Sequence, residues 1–421
     1  MSRCRGRLWE YLPWLAVLVY LVYIHRHLGF TGDDLLFAKY EAGMDFWNWR
    51  YATWSSRLLT ESILVTLLHL PVLVWKIGDI LLPLAMLMAF SYLLVPKQDK
   101  VAGNSLLAIS FILYPFDCMS SAGNVATTLN YLWPMSFCIL SLLPFRRMLE
   151  GEPVPPQLAC AGVFFLILAV DVEQCCMILL MLAGGLTVFY REKALELMGR
   201  YRNLLAIYFV VTLAALLKIV LCPGNSVRYL MECARFFPDF ERLSLVEKFH
   251  LFILDFSTYL CAHDVLVVLL SAVLLFLVVR RFRSAFLRSA AAVPLMLSLA
   301  MTAGQRLLHL WNADHVRQLL EVQHGLGVLT FGNLKLYALF AIGCLLLASL
   351  LYTLYLAFYG TRELRFVLLI YLTGVGTAAV LMFSPTIFAS SYRVFLHFSM
   401  AAMVLLVHSA LYAAGPKAGN A

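Results

Sequence analysis

Charge is scarce in this sequence. Of its 421 residues, 13% are Asp, Glu, Lys or Arg and 62% are hydrophobic, against about 25% charged in an ordinary soluble domain. Such a chain cannot cover itself with polar surface, which excludes a water-soluble globule. Alternating segments of about ten residues are also missing, which excludes a membrane β-barrel. In their place stand apolar runs of about 17–25 residues, long enough to cross a hydrocarbon core. The sequence predicts an all-α fold, a polytopic transmembrane helical bundle.

Other absences narrow the chemistry. The ten cysteines include no CxxC pair. Cys175 and Cys176 are adjacent, which suits neither a zinc site nor an ordinary disulfide. The histidines lack HExxH spacing, and no glycine-rich loop ends in Lys-Ser/Thr, so no zinc protease or P-loop is present. A D-x-D motif, which would grip a nucleotide-sugar diphosphate through a cation, is absent. No cofactor or metal is indicated, although a divalent cation stays open. No small-residue cleavage site follows the first apolar run; His25, Arg26 and His27 do, so a retained first helix with a cytoplasmic N-terminus is expected. No repeat or linker appears, and residues 1–421 read as a single transmembrane domain.

The net charge of +8 sits in short clusters between apolar runs. That is the positive-inside pattern of a membrane protein rather than a nucleic-acid footprint. The clusters begin at Arg3, Lys97, Arg146, Arg191, Arg280 and Arg362, and Lys417 follows the last run. There are thirteen runs, and two cytoplasmic termini need an even number of crossings. The run 58–75 contains Glu61, His69 and Pro71 and is the one to set aside as a juxtamembrane or re-entrant helix. Twelve spans result, or eleven or thirteen if 101–117 is irregular. The polar, non-basic loops then share the external side: 31–57, 123–134, 171–174, 222–250, 305–333 and 384–393. Polar groups gathered on one membrane face from distant segments suggest a site.

Each loop has a plain reading beside a functional one. Asp33 and Asp34 precede LLFAKY and can cap a helix. Neighbours on a helix point about 100° apart, so one carboxylate can cap while the other works. The assignment made here is Asp34 for catalysis and Asp33 for the cap, with the reverse order open. Phe46, Trp47, Trp49, Tyr51 and Trp54 suit an interfacial amphipathic helix or a shelf for sugar or lipid. Pro223, Gly224 and Asn225 make a helix stop, after which Arg228 can meet a phosphate. Glu173 lies beside Asp171 and Gln174 in a solvated loop or a pocket. The loop histidines His309, His315 and His324 lack metal-site spacing, while Asp255, His263 and Asp264 fall inside the run 251–279.

Taken in order, "GDD", "WSSR", "NYLWP", a glutamate between two helices, "PGNSVR" and "SYR" span roughly 31–395. This string resembles the GT-C superfamily of integral-membrane glycosyltransferases, and in particular bacterial GtrII-type glucosyltransferases and related multi-pass families. Val172 departs from the pattern, which leads one to expect Asn before the central glutamate. The resemblance implies a polyprenyl-phosphate sugar donor, a glycan or glycolipid acceptor of the cell envelope, and inverting transfer on the external, periplasmic face of the inner membrane. On that footing Asp33 or Asp34 is the base, and Arg57, Arg228 and Arg393 bind the donor phosphate, because guanidinium pairs with phosphate in a fork. Arg57 ranks last, since an arginine at the start of an apolar segment can snorkel. Asn130, Tyr131, Trp133, Glu173 and Asn225 would contact sugar or acceptor, and membrane lipid would surround the whole. The alternatives are a transporter or flippase, or a polymerase, of lipid-linked glycans.

Overall fold

A computed structural model describes residues 2–262, 264–308 and 334–415, with side chains from residue 9 onward except 261–263 and 305–336. His263, His309, Asp314, His315, His324 and Lys417 lie outside the described residues, as do the side chains of Arg3, Arg5, Arg7 and Arg306. Every described element is an α-helix or a 3-10 helix.

Among the described residues, seven helices are long and apolar enough to cross a membrane: Val72–Leu94, Asn124–Leu149, Arg202–Val220, Ala285–Gly304, Tyr337–Phe358, Leu364–Phe383 and Tyr392–Ala414. Two bent pairs, Glu173–Phe189 with Arg191–Arg200 and Leu245–Leu260 with Val265–Arg281, raise the number to nine if each is one span. The three runs that separate nine from twelve are 13–30, 101–117 and 158–170, the run 58–75 having been set aside already. Leu58–Leu68 has 11 residues and rises about 16 Å, half of a hydrocarbon core of roughly 30 Å. Pro71 sits at the N-cap of Val72–Leu94 and disfavours helix in the residue before it, so the break falls near 69–71 rather than at 76. Lys100–Ile112 has 13 residues and Pro156–Ala169 has 14. The first helix, Ser2–His25, has 24, but its side chains are described only from Trp9.

The sequence offers no linker, yet the chain divides into two compact units, 1–112 with 116–230, and 113–115 with 231–421. In the first unit, Leu132–Ser141 packs on Val72–Leu94 and Pro156–Ala169, while Ser2–His25 packs on Lys100–Ile112. Trp75, Met86, Leu87, Phe111, Leu132, Cys138 and Leu166 form its buried core. The segment 124–149 breaks at Tyr131, where φ is −129° and ψ −59°. Pro134 has no N–H to give the carbonyl of Asn130, so the helix cannot run through. In the second unit, Leu396–Ala414 packs on Leu364–Ala379 and Val265–Arg281. Its core is aromatic: Phe256 lies 4.7 Å from Phe398 and 5.0 Å from Phe395, centroid to centroid.

A buried polar pin holds the first unit. Asp79 is fully buried. It accepts from the indole Nε1 of Trp133 at 2.7 Å, and its other oxygen lies 2.7 Å from Nε2 of His25. Nδ1 of His25 faces the Leu21 carbonyl at 2.8 Å. A carbonyl only accepts, so Nδ1 carries a proton.

Candidate functional site

The two adjacent aspartates have different fates. The helix Asn124–Asn130 starts after Gly123, whose missing side chain cannot cap it. Asp34 supplies the missing acceptor from another segment. Its Oδ1 accepts from the backbone N–H of Ala126 at 2.7 Å, and its Oδ2 from Val125 at 3.3 Å and Thr31 at 3.0 Å. Asp34 is fully buried, whereas Asp33 is exposed and adds no side-chain cap to its own helix, Asp33–Phe37. The expectation that Asp33 is the cap is corrected by the geometry: Asp34 is the cap, and of a different helix. Two glycines permit the fit. Gly32 has φ +54°, and a Cβ on Gly123 would stand 2.7 Å from Oδ1 of Asp34.

Asn130 lies four residues along the helix that Asp34 caps, about 6 Å. Its Nδ2 donates to the Ala126 carbonyl at 2.8 Å, which turns its Oδ1 toward Arg57. Arg57 donates from Nη1 to that oxygen at 3.0 Å and from Nε to Oε2 of Glu173 at 2.9 Å. Its Nη2 lies 2.8 Å from the same Glu173 oxygen. Segments far apart in sequence therefore meet here, and the side chains of Arg57 and Glu173 remain 18% and 24% exposed. These contacts pin Arg57 in place. Burial works against its charge, but Glu173, Tyr131 and Glu61 outweigh that and hold its pKa above the usual arginine value. Arg228 also acts on the charge of Glu173, so the cluster comprises Arg57, Asn130, Tyr131, Glu173 and Arg228.

The surrounding acids are consumed by structure. Asp171 is buried, accepts from the backbone N–H of Thr60 at 2.8 Å and pairs with Lys218. It thereby caps Leu58–Leu68, whose own N-cap, Arg57, offers no oxygen. Glu61 forms a fork with Arg50 at 2.5 and 2.6 Å, both residues buried. Phe37, Trp49 and Trp54 stand around that guanidinium at 5.2–5.6 Å. Part of the expected aromatic shelf is thus an inward-facing cage: Phe46 is buried and Trp47 donates to Ser62, while Trp49 is exposed. Sequence reasoning missed this pair. The signal was present in Glu61, a charge inside an apolar run that needs a partner.

Two expected sugar contacts have structural roles. Trp133 is buried with its N–H committed to Asp79. Asn225 donates to the carbonyl of Ile219 at 2.7 Å, tying the turn to the end of the preceding helix. Gly224 lies so close to the end of Met44–Thr53 that a Cβ would sit 2.7 Å from the Tyr51 carbonyl oxygen. Arg393 is half-buried in the second unit, in the 3-10 turn Tyr392–Phe395 after Ser391 at φ +56°. In that unit Asp255 is buried, and Asp264 caps Val265–Arg281 and accepts from Ser399 at 3.0 Å.

Leu59, Ile63, Leu129, Trp133, Phe137 and Leu168, among others, line a small apolar crevice next to Arg57 and Asn130 along the chain. Among the described residues no group of three or more His, Cys, Asp or Glu side chains is placed to hold a metal ion. The fold and this cluster define an all-helical chain, rich in helices able to span a membrane, with two cations, a carboxylate and an amide gathered at one end of its first unit. No family model, curated protein or solved structure matches it.

Proposed function

We propose that the protein is a GT-C-like integral-membrane glycosyltransferase. It moves a sugar from a polyprenyl-phosphate donor to a cell-envelope glycan or lipid acceptor on the external face. The observation that carries this reading is the meeting of Arg57, Asn130, Glu173 and Arg228, with the exposed Asp33 on the helix beside them. Guanidinium groups suit a phosphate leaving group. The apolar side chains next to them suit contact with a lipid tail, which must stay out of water. Asn130 and Tyr131, at the helix break, face the same cluster and suit the sugar.

In the reaction, an acceptor hydroxyl attacks the anomeric carbon. The bond from that carbon to the phosphate oxygen breaks, and polyprenyl phosphate leaves with the electron pair. The hydroxyl proton passes to Asp33. Asp34 cannot take it, because its oxygens already accept three N–H bonds in a buried site.

The test is sugar transfer from a lipid-phosphate donor by purified protein, with unfolding followed in parallel. Asp33→Asn should fold normally and lose roughly 10²-fold or more of its transfer rate, the usual share of a general base. Asp34→Asn should lose about 1–3 kcal/mol of stability by weakening its buried acceptor set. Transfer by Asp33→Asn at the wild-type rate would remove the base and with it the centre of the mechanism.

A further inference from the structure

Glu173 stands where a phosphate would have to stand. Its Oε2 takes both the Nε and the Nη2 of Arg57, at 2.9 and 2.8 Å. That edge of the guanidinium is the one that receives two oxygens of a phosphate in a fork. The remaining nitrogen, Nη1, is engaged by Asn130. A phosphate can grip Arg57 by its Nε/Nη2 edge only if Glu173 gives that edge up. The other acids around Arg57 are not available for such an exchange. Glu61 is locked on Arg50, Asp171 on Lys218 and the Thr60 N–H, and Asp34 on a helix end. Glu173 alone among these pairs with a guanidinium while remaining 24% exposed.

Resting on the phosphate-donor reading above, we infer that Glu173 is a displaceable stand-in for the donor phosphate, which binds Arg57 by exchanging with this carboxylate. The exchange has two consequences. It keeps Arg57 paired, and so in place, when no donor is present, which spares a partly buried cation from standing uncompensated. It also lowers the affinity for any anion by the strength of the bond given up. Binding energy is thus withheld from weak anions, and the phosphorylated product leaves more readily. Glu173 is on this view a positioning and specificity residue that does not touch the reacting carbon. Arg228 acts on the charge of Glu173 and is the partner toward which the displaced carboxylate would turn.

The experiment measures binding and needs no turnover. Farnesyl phosphate, farnesol and inorganic phosphate are titrated into detergent-purified wild type, Glu173→Gln, and Glu173→Gln combined with Arg57→Lys. Gln keeps the shape and an acceptor oxygen but removes the competing charge. A hydrogen bond to a charged group contributes about 1.5–3 kcal/mol, so Glu173→Gln should bind farnesyl phosphate roughly ten- to a hundredfold more tightly. Farnesol binding should not change. The Arg57→Lys addition should reverse most of the gain, because an ammonium offers no fork. Tightening for inorganic phosphate as well would place the recognition in the phosphate alone; tightening confined to farnesyl phosphate would add the lipid to it. Both outcomes support the exchange. Equal or weaker farnesyl phosphate binding by Glu173→Gln overturns it and makes the pair structural, while leaving the transferase reading to stand or fall on Asp33. Absence of phosphate binding by every variant overturns both.

Discussion

Asp34, Asp79, Asp171 and Glu61 show what a carboxylate is for in a chain with so few of them. Each is buried and each holds two segments together. A buried charge without partners costs several kcal/mol, and a partner removed leaves that cost exposed. Trp133 joins these carboxylates through its indole N–H, which Asp79 accepts. Trp133→Phe keeps most of the ring but takes the N–H from Asp79. It should lower stability by about 1–3 kcal/mol, measured by unfolding in detergent; unchanged stability would mean that the N–H contact to Asp79 does not hold the segments together. Asp79→Leu is the harsher change, because it leaves the Trp133 N–H and the Nε2 of His25 buried without their partner; about 3–5 kcal/mol should be lost.

At the scale of elements, two helices borrow their caps. Asn124–Asn130 takes Asp34, and Leu58–Leu68 takes Asp171, because Gly123 and Arg57 cannot serve themselves. Borrowed caps set the position of one helix end against another segment, and here they fix Arg57 and Asn130 at 3.0 Å. Gly123 is the tolerance-limiting residue. In Gly123→Ala the new methyl would meet Oδ1 of Asp34 and the Thr31 carbonyl at 2.7 Å each. About 1–3 kcal/mol of strain should follow, and Asn130 should shift away from Arg57. Unfolding of Gly123→Ala, Asp34→Ala and the double variant checks this: the two losses should add to clearly more than the double variant shows, since the clash and the cap share one carboxylate. Simple additivity would separate the glycine from the cap. The borrowed caps were not legible in the sequence. Capping is read from residues next to a helix, and Asp34 lies 92 positions from Ala126. What was legible was the set of motifs that must converge. The order of GDD, NYLWP, Glu173 and PGNSVR pointed to one polar neighbourhood, and Arg57, Asn130, Glu173 and Arg228 occupy it. Span counting was less legible, because hydropathy alone does not tell the 13-residue helix Lys100–Ile112 or the 14-residue helix Pro156–Ala169 from a full crossing.

At the scale of the whole molecule, the first unit has two chemically distinct ends. The helical segment Asn124–Leu149 has 26 residues and extends about 39 Å, enough to cross a hydrocarbon core of roughly 30 Å. Asn124 marks the end with Asp34, Asn130, Arg57 and Glu173. At the other end Arg146 pairs with Glu150, and Arg147 with Glu152 at 3.1 Å, while Tyr201 donates to the Glu152 carbonyl. Arg191, Lys193 and Arg200 follow on the helix bent by 112° from Glu173–Phe189. Basic residues collect on the cytoplasmic side of membrane proteins, so the acidic end should face outward. Leu35, Ser226 and Glu152 are exposed and outside the contacts argued for donor binding. In a background with the accessible natural cysteines replaced, Leu35→Cys and Ser226→Cys should react with a membrane-impermeant maleimide on intact cells. Glu152→Cys should react only after the membrane is opened. The sign of the result decides orientation: labelling of Glu152→Cys alone would invert the protein and move any transfer to the cytoplasmic face. Labelling of Leu35→Cys and Ser226→Cys from opposite faces would separate Asp33 from Arg228 by a bilayer, and no single site could then use both.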